Sequence, residues 1–396
     1  MNRVPLSIAC DYSEKSTEVS RLSVSNFIST DNMLPYRGGI VDAVNLPPAV
    51  SCVKYEVDNI LLSNIRPYFK KIWYASFEGG CSNDVLVLKC KNKKFHSKFV
   101  YYSLFQDLFF KHMMNGAKGS KMPRGDKDQI MLFQIPDFEK PYQELIADYL
   151  SLLDEKISLN NLINTELETM AKTIFTFWFV QFDFPNKEGK PYKASGGEME
   201  WNEELKSEIP TGWTCGKLSD VANITMGQSP DGDSYNEEGD GMVFFQGSTD
   251  FNFRFPLVRM FTTAPSRIAQ EEDILLSVRA PVGTLNVANE KCCIGRGLAA
   301  LNSKFKSNSY LLYLMFYFKT MFDIQNRTGT TFGSIDKDTL YDLKFAKPPV
   351  ELQKEFQSIV GKYDKMILMR SRENQELITL RDFLLPLLMN GQVKVK

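Results

Sequence analysis

At 396 residues, 43% of them hydrophobic, the chain is long enough for two or three domains and too apolar to be disordered. Its net charge of −1 does not by itself point to a polyanionic partner. Seven cysteines, an odd set without a C-x-x-C, exclude a secreted disulfide framework; with no apolar run of 18 residues and no leader-like start, a cytoplasmic protein without a membrane span is expected.

In chain order, the first globule offers strands at Ile60–Leu62 and Asp84–Leu88 around a turn at Glu78-Gly79-Gly80. An aromatic-rich helix over Lys98–His112 follows, then the glycine-rich basic loop Asn115–Lys121. From Pro141 to Gln181 the apolar residues Ile146, Leu150, Leu153, Ile157 and Leu167 recur at helical spacing. About 40 residues of helix would span roughly 60 Å. Residues 183–210, rich in Gly, Pro, Lys and Glu, read as a linker. The second half repeats the plan, with strands at Ile274–Val278 and Gly283–Val287 and a helix over Ser309–Phe322. A second long helix starts at Pro349, with Phe356, Val360, Tyr363, Ile367 and Leu377 on its apolar side. Asn164 and Asn374 interrupt the apolar seams, as register-setting polar residues do, so the two helices are expected to lie antiparallel along each other.

The halves are copies. A shift of 210 residues lays Asp126-Lys127-Asp128 on Asp336-Lys337-Asp338, Gln143 on Gln353, Asp154 on Asp364 and Asn164 on Asn374. Upstream, Asn59–Pro67 matches Asp273–Pro281 and Ser29-Thr30-Asp31 matches Ser248-Thr249-Asp250, the offset drifting as loop insertions require. Charge repeats as well. Val85–Gly125 holds nine Lys or Arg and one acid, Asp107; Gly295–Ile335 holds five and one acid, Asp323. Two basic segments at matching places suggest a duplicated surface for phosphate.

Catalytic signatures are missing. Asn45-Leu46-Pro47-Pro48-Ala49 has an intruding leucine and no aromatic, so it is not the motif of an amino-methyltransferase. Pro136-Asp137-Phe138-Glu139-Lys140 spaces its acids wrongly for a metal nuclease, and Asp231-Gly232-Asp233 lacks the later ligands of a calcium loop. There is no nucleotide-binding G-x-x-x-x-G-K-[ST] loop, and the two histidines, His96 and His112, do not form a zinc-site pattern.

The order of these features resembles the specificity (S) subunit of type I restriction–modification systems. Phe27–Leu34, Asp58–Arg66, Gly79–Asp84, Pro210–Trp213, Lys217–Val221 and Gly329–Phe332 carry the likeness, together with the repeated helices. The resemblance implies an α+β fold: two mixed α/β target-recognition domains separated by two long antiparallel, coiled-coil helices with pseudo-two-fold symmetry. The expected boundaries are a first recognition domain at 1–138, a spacer helix at 139–182, a linker at 183–210, a second recognition domain at 211–347 and a second spacer helix at 348–396.

The resemblance further implies a chain without catalysis of its own. It would bind double-stranded DNA, each domain reading one half of a split, asymmetric target, and direct adenine methylation and restriction by two methyltransferase subunits and by restriction/translocase subunits. S-adenosylmethionine, ATP and Mg would belong to those partners, and this chain would hold no cofactor or metal. The alternatives are the recognition subunit of another DNA-modifying or defence system, a self-sufficient methyltransferase or nuclease, and a purely structural coiled-coil scaffold.

Lys and Arg suit phosphates, while Arg, Asn, Ser and Thr suit base edges. In the first globule the candidates are Ser63, Asn64, Arg66, Lys70, Lys71, Lys118, Lys121 and Arg124. In the second they are Arg279, Arg296, Arg327, Thr330 and Thr331. Phe175, Phe177, Trp178 and Phe179, at the end of the first long helix, are candidates for seating a partner subunit or for burying that helix end.

Overall fold

A computed structural model of the chain describes residues 2–91, 93–119, 121–327 and 334–395, without the side chains of residues 321 and 323–327. The chain forms two units, one of residues 1–158 and 374–396, the other of residues 159–373.

In the first unit a four-stranded antiparallel sheet runs in the order Cys10–Tyr12, Val85–Cys90, Ile60–Ser63, Ile72–Tyr74. Its central strands carry unbroken apolar runs, Ile60–Leu62 and Val85–Leu88, because both faces are covered there. Ile60, Leu62, Leu86 and Leu88 face the helices, whereas Leu61, Val85 and Val87 face a second sheet. That second sheet is ordered Ser16–Glu18, Ser51–Tyr55, Gly79–Cys81, Phe27–Ile28, and its last pair is parallel. Gly79-Gly80, expected as a turn, is therefore a buried strand. A Cβ on Gly79 would stand 2.1 Å from the Asn26 carbonyl oxygen, and one on Gly80 2.5 Å from Cys52 Sγ. These glycines serve close backbone approach, which local sequence cannot distinguish from a turn. The helix expected over Lys98–His112 is two, Ser97–Phe105 and Asp107–Asn115, broken where Gln106 is extended.

The second unit repeats the design. Ala222–Met226, Leu298–Ser303, Ile274–Ser277 and Leu285–Val287 form the equivalent sheet in the equivalent order. Leu275 and Ala300 again face one core while Ile274, Leu276 and Leu301 face the other. Its second sheet has five strands and again one parallel pair, Phe244–Phe245 with Cys293–Ile294. Residues 183–210, expected as a linker, are built into this unit. Met199–Asn202 and Ser207–Pro210 pair as a hairpin with Ile209 buried, and Phe184 stacks on Tyr192 and Trp213.

The long helices are Lys140–Phe175, closed by one π-helical turn at Thr176–Val180, and Val350–Met389. Each unit takes a segment of both. In the second, Asn160 Nδ2 donates to Glu373 at 2.8 Å and Asn164 Nδ2 to Ser371 Oγ at 3.3 Å. In the first, Asn374 Nδ2 lies 3.5 Å from the Ile157 carbonyl and Arg381 Nη1 donates to Asp154 at 2.7 Å. Rising numbers on one helix meet falling numbers on the other, so the pairing is antiparallel, with Asn164 and Asn374 buried as the apolar seam predicted.

Candidate nucleic-acid interface

The candidates of the first unit gather where strand Ile60–Ser63 leaves its sheet. Ser63 Oγ donates to the Ile65 carbonyl at 3.1 Å and sharpens the exit. Lys118 and Arg124 close a basic ribbon through Lys118 N to Arg124 O at 2.9 Å and Arg124 N to Lys118 O at 3.0 Å. It lies against the exit turn, because Arg66 N donates to Pro123 O at 2.8 Å and Gly125 N to Asn64 O at 3.1 Å. Asp126 then caps the short helix Lys127–Met131 by accepting from the amides of Asp128 and Gln129. The repeated Asp-Lys-Asp is thus a helix cap that fixes one end of the basic ribbon, and Asp336 does the same for Lys337–Tyr341.

Two residues of the turn, Arg66 and Lys70, are left-handed at φ 50° and 52° without being glycine. Such conformations persist only where surrounding bonds impose them. Here the imposing groups are legible: Tyr36 N donates to Phe69 O and Arg37 N to Lys70 O, at 2.7 and 3.0 Å. Asp107 receives both Lys70 and Arg37, and Arg37 also lies over the Phe105 and Phe110 rings. Asp107 was met in the sequence only as the lone acid of a basic segment; its role as the anchor of the turn became visible with the turn itself.

The candidates differ in what they can offer a ligand. Lys118, 84% exposed, and Arg124 carry salt bridges to Asp126 and Asp84, and Lys121 is exposed beside them. The Asp126 carboxylate bonded to it holds the Lys118 ammonium above its ordinary range. Asn64 and Arg66 are half-buried, with Asn64 Oδ1 and Arg66 Nε unbonded. Two expectations are corrected. Ser63 is only 3% exposed and bonded internally, so it shapes the turn and cannot reach a base. Lys71 points its ammonium at the Thr30 carbonyl at 2.5 Å, and burial pushes its pKa down, so it braces the loop from behind.

The second unit builds the same exit. Ser277 Oγ donates to the Arg279 carbonyl at 2.7 Å, Ile335 N to Val278 O at 2.9 Å, and Arg279 is bridged to Ser334 and exposed. Arg296 is exposed between strands Cys292–Ile294 and Leu298–Ser303, its amide donating to Ser229 Oγ at 3.3 Å. Arg327 ends the helix Asn308–Arg327, its side chain lying outside the described set, and Thr330 and Thr331 lie outside the described residues.

Of the four aromatic candidates for partner contact, Phe175, Trp178 and Phe179 belong to the core of the second unit, against Tyr310, Phe356 and Trp213. Only Phe177, 49% exposed, stays on the surface. The helix end is aromatic because it is a core element. His112 Nε2 lies 2.6 Å from the Gln129 carbonyl, and among the described residues no group of three His, Cys, Asp or Glu is placed to hold a metal. No described helix is long and apolar enough to cross a membrane.

The sequence model of the type I restriction modification DNA specificity domain matches twice, over residues 47–169 and 210–379. The chain belongs to this family. Its two matched domains are the two structural copies, and the chain is a DNA-binding specificity subunit of a type I restriction–modification system. The putative type I restriction enzyme MjaX specificity subunit of Methanocaldococcus jannaschii is 30% identical over 324 residues, 79% of this chain and 72% of that one. The MjaIX specificity subunit of the same organism is 23% identical over 76% of this chain and 70% of its own length. The crystal structure of a type I restriction–modification S subunit from M. genitalium shares the fold, with a TM-score of 0.60 at 15% identity over 98% of this chain and 96% of that one.

Proposed function

We propose that this specificity subunit reads a split, asymmetric double-stranded target, each specificity domain contacting one half. The observation that carries this is the exit turn, built twice on one scaffold but furnished differently: Asn64, Arg66, Lys118, Lys121 and Arg124 in one unit, Arg279 and Arg296 in the other. Matching strand exits with different side chains suit a similar approach to DNA and a different sequence preference. Thr330, Thr331 and Arg327 join the second set by their place in the sequence repeat. Lys70, held by Asp107, and Lys71 position the first turn.

In this reading the chain performs no chemistry. It delivers the target adenine to two methyltransferase subunits that use S-adenosylmethionine, and the assembly, with restriction subunits that use ATP and Mg, acts in the cytoplasm. Phe177 is the remaining aromatic candidate for a partner contact.

The test begins with methylome sequencing of cells expressing the chain with its methyltransferase, which defines the target. Gel shifts then compare Arg124→Ala and Arg279→Ala on duplexes with one or other half-site scrambled. Each substitution should weaken binding by about 1–3 kcal/mol if it removes a base contact, and only while its own half-site is intact. A palindromic footprint, or equal losses whichever half is scrambled, would sink the proposal.

A further inference from the structure

In the second unit one arginine reaches from the recognition domain to both long helices. Arg254 lies in the segment between Asp250 and Phe261, and its side chain is 2% exposed. Nη1 lies 3.4 Å from Glu168 on the first long helix, and Nη2 is paired with Asp364 on the second. Nη2 also donates to Tyr313 Oη at 2.8 Å, and Tyr313 Oη donates to Asp364 at 3.1 Å. The guanidinium lies over the Tyr313 and Phe316 rings, 5.4 and 5.8 Å from their centroids. On the domain side, Val287 N donates to the Arg254 carbonyl and Asn286 Nδ2 to that of Asn252, both at 2.8 Å, which ties the segment to an edge strand of the sheet.

The first unit has the same tyrosine and aspartate without the domain-borne arginine. Tyr102 Oη donates to Asp154 at 2.7 Å, but the arginine completing that pair is Arg381, which comes from the second long helix. Arg37 of the first domain is bonded within its own domain, to Asp107 and the Phe105 carbonyl. A repeated Tyr–Asp pair is therefore closed by arginines from non-equivalent places: in the first unit Arg381 reaches from a long helix to the Phe105 ring of the domain, and only in the second unit does the closing arginine come from the recognition domain itself.

We propose that Arg254 is a positioning residue that fixes the angle of the second recognition domain on its helix pair and thereby the length of the unread gap the subunit accepts. This rests on the split-target reading above. The physical reason is leverage. The apolar seat of the domain involves Leu352, Phe356 and Val360, and Arg254 adds a tie beyond that seat, at Glu168 and Asp364. A domain held at the seat alone rocks about it, whereas a planar fork bonded to both helices does not. One added base pair displaces a half-site by about 3.4 Å and rotates it by about 35°, so a small change of domain angle decides which gap fits.

The test uses the full chain assembled with its methyltransferase, on duplexes carrying the methylome-defined target with its natural gap and with one base pair added or removed. Arg254→Lys keeps the positive charge between Glu168 and Asp364, yet a single ammonium cannot fork between them. The wild-type assembly should prefer the natural gap by about a hundredfold, and R254K should lower that preference at least tenfold while keeping most of its affinity for the natural gap. Loss of affinity for all three duplexes in equal proportion would mark a merely structural role and overturn the inference. So would an unchanged preference in a folded R254K assembly. Should R254K not fold, Tyr313→Phe, which removes the hydroxyl shared by Arg254 and Asp364, is read against the same two outcomes. If the wild-type assembly itself ignores gap length, the split-target reading falls together with this inference; a wild-type preference that both variants retain overturns the inference alone.

Discussion

Asp107 is the one acid among nine basic residues between Val85 and Gly125, and it carries the geometry of the first exit turn. Partial burial pushes its carboxyl pKa up, but hydrogen bonds from Lys70 and Arg37 outweigh burial and hold it below the ordinary value. A carboxylate whose folded pKa is lowered stabilises the fold above its unfolded pKa and loses that contribution as pH falls through the folded one. Asp107→Asn should therefore lower the urea midpoint at pH 7 and pH 5, and the difference from wild type should start to shrink as pH falls through the ordinary carboxylate value of about 4 and disappear only below the lowered folded one. A difference that persisted unchanged to pH 3 would show that the charge is not what anchors the turn.

A second residue-scale case is the pair Cys10 and Cys90, whose sulfurs are 3.3 Å apart across two antiparallel strands. Flanking bonds from Ser13 N to Val87 O and from Lys91 N to Ala9 O place the pair at a non-hydrogen-bonded position, where Cα atoms approach to about 4.5 Å, within disulfide range. Cys90, accepting from Cys10, is the sulfur pushed toward thiolate. Oxidised glutathione should join the two, releasing two molecules of reduced glutathione and leaving the chain lighter by two hydrogen atoms in its mass spectrum. Two thiols still free after that treatment would contradict the geometry.

At the scale of elements, helical periodicity named both long helices and placed Asn164 and Asn374 on the seam, because side chains facing a partner every three or four residues leave their mark in sequence. Asn164 is 1% exposed with its Oδ1 unbonded, so it opposes stability while favouring one register. Asn164→Leu should raise the urea midpoint by the equivalent of about 1 kcal/mol; a midpoint equal to or below wild type would mean that its bond to Ser371 outweighs the unsatisfied oxygen. The shorter elements were less legible. Gly79-Gly80 has the composition of a turn, and only the approach of Asn26 and Tyr55 makes it a strand. Residues 183–210 have the composition of a linker, yet Trp213, Phe184 and Tyr192 give them a core to fold against.

For the whole molecule, the two long helices belong to no unit alone: Leu385, Leu388 and Met389 complete the core of the first, while Leu352, Phe356 and Val360 complete that of the second. Leu388→Ala should cost about 2–5 kcal/mol, and the loss should fall on the first unit. Hydrogen exchange should quicken at Ile60–Ser63 and stay unchanged at Ile274–Ser277. Equal quickening in both strands would show that the units do not hold their cores separately.

The sequence by itself determined the doubling, the helices, the basic segments and the family, since each is a regularity carried along one chain and read without knowing what lies opposite. Tertiary structure decided which candidate side chains are free. Ser63, Lys71, Phe175, Trp178 and Phe179 have the right chemistry for a ligand but are engaged with the protein itself. It alone revealed Arg254, an unremarkable arginine after an acidic stretch, as the bond from a recognition domain to two helices. The physical reason is that burial and pairing depend on residues distant in sequence, here Glu168, Tyr313 and Asp364, which only folding brings together.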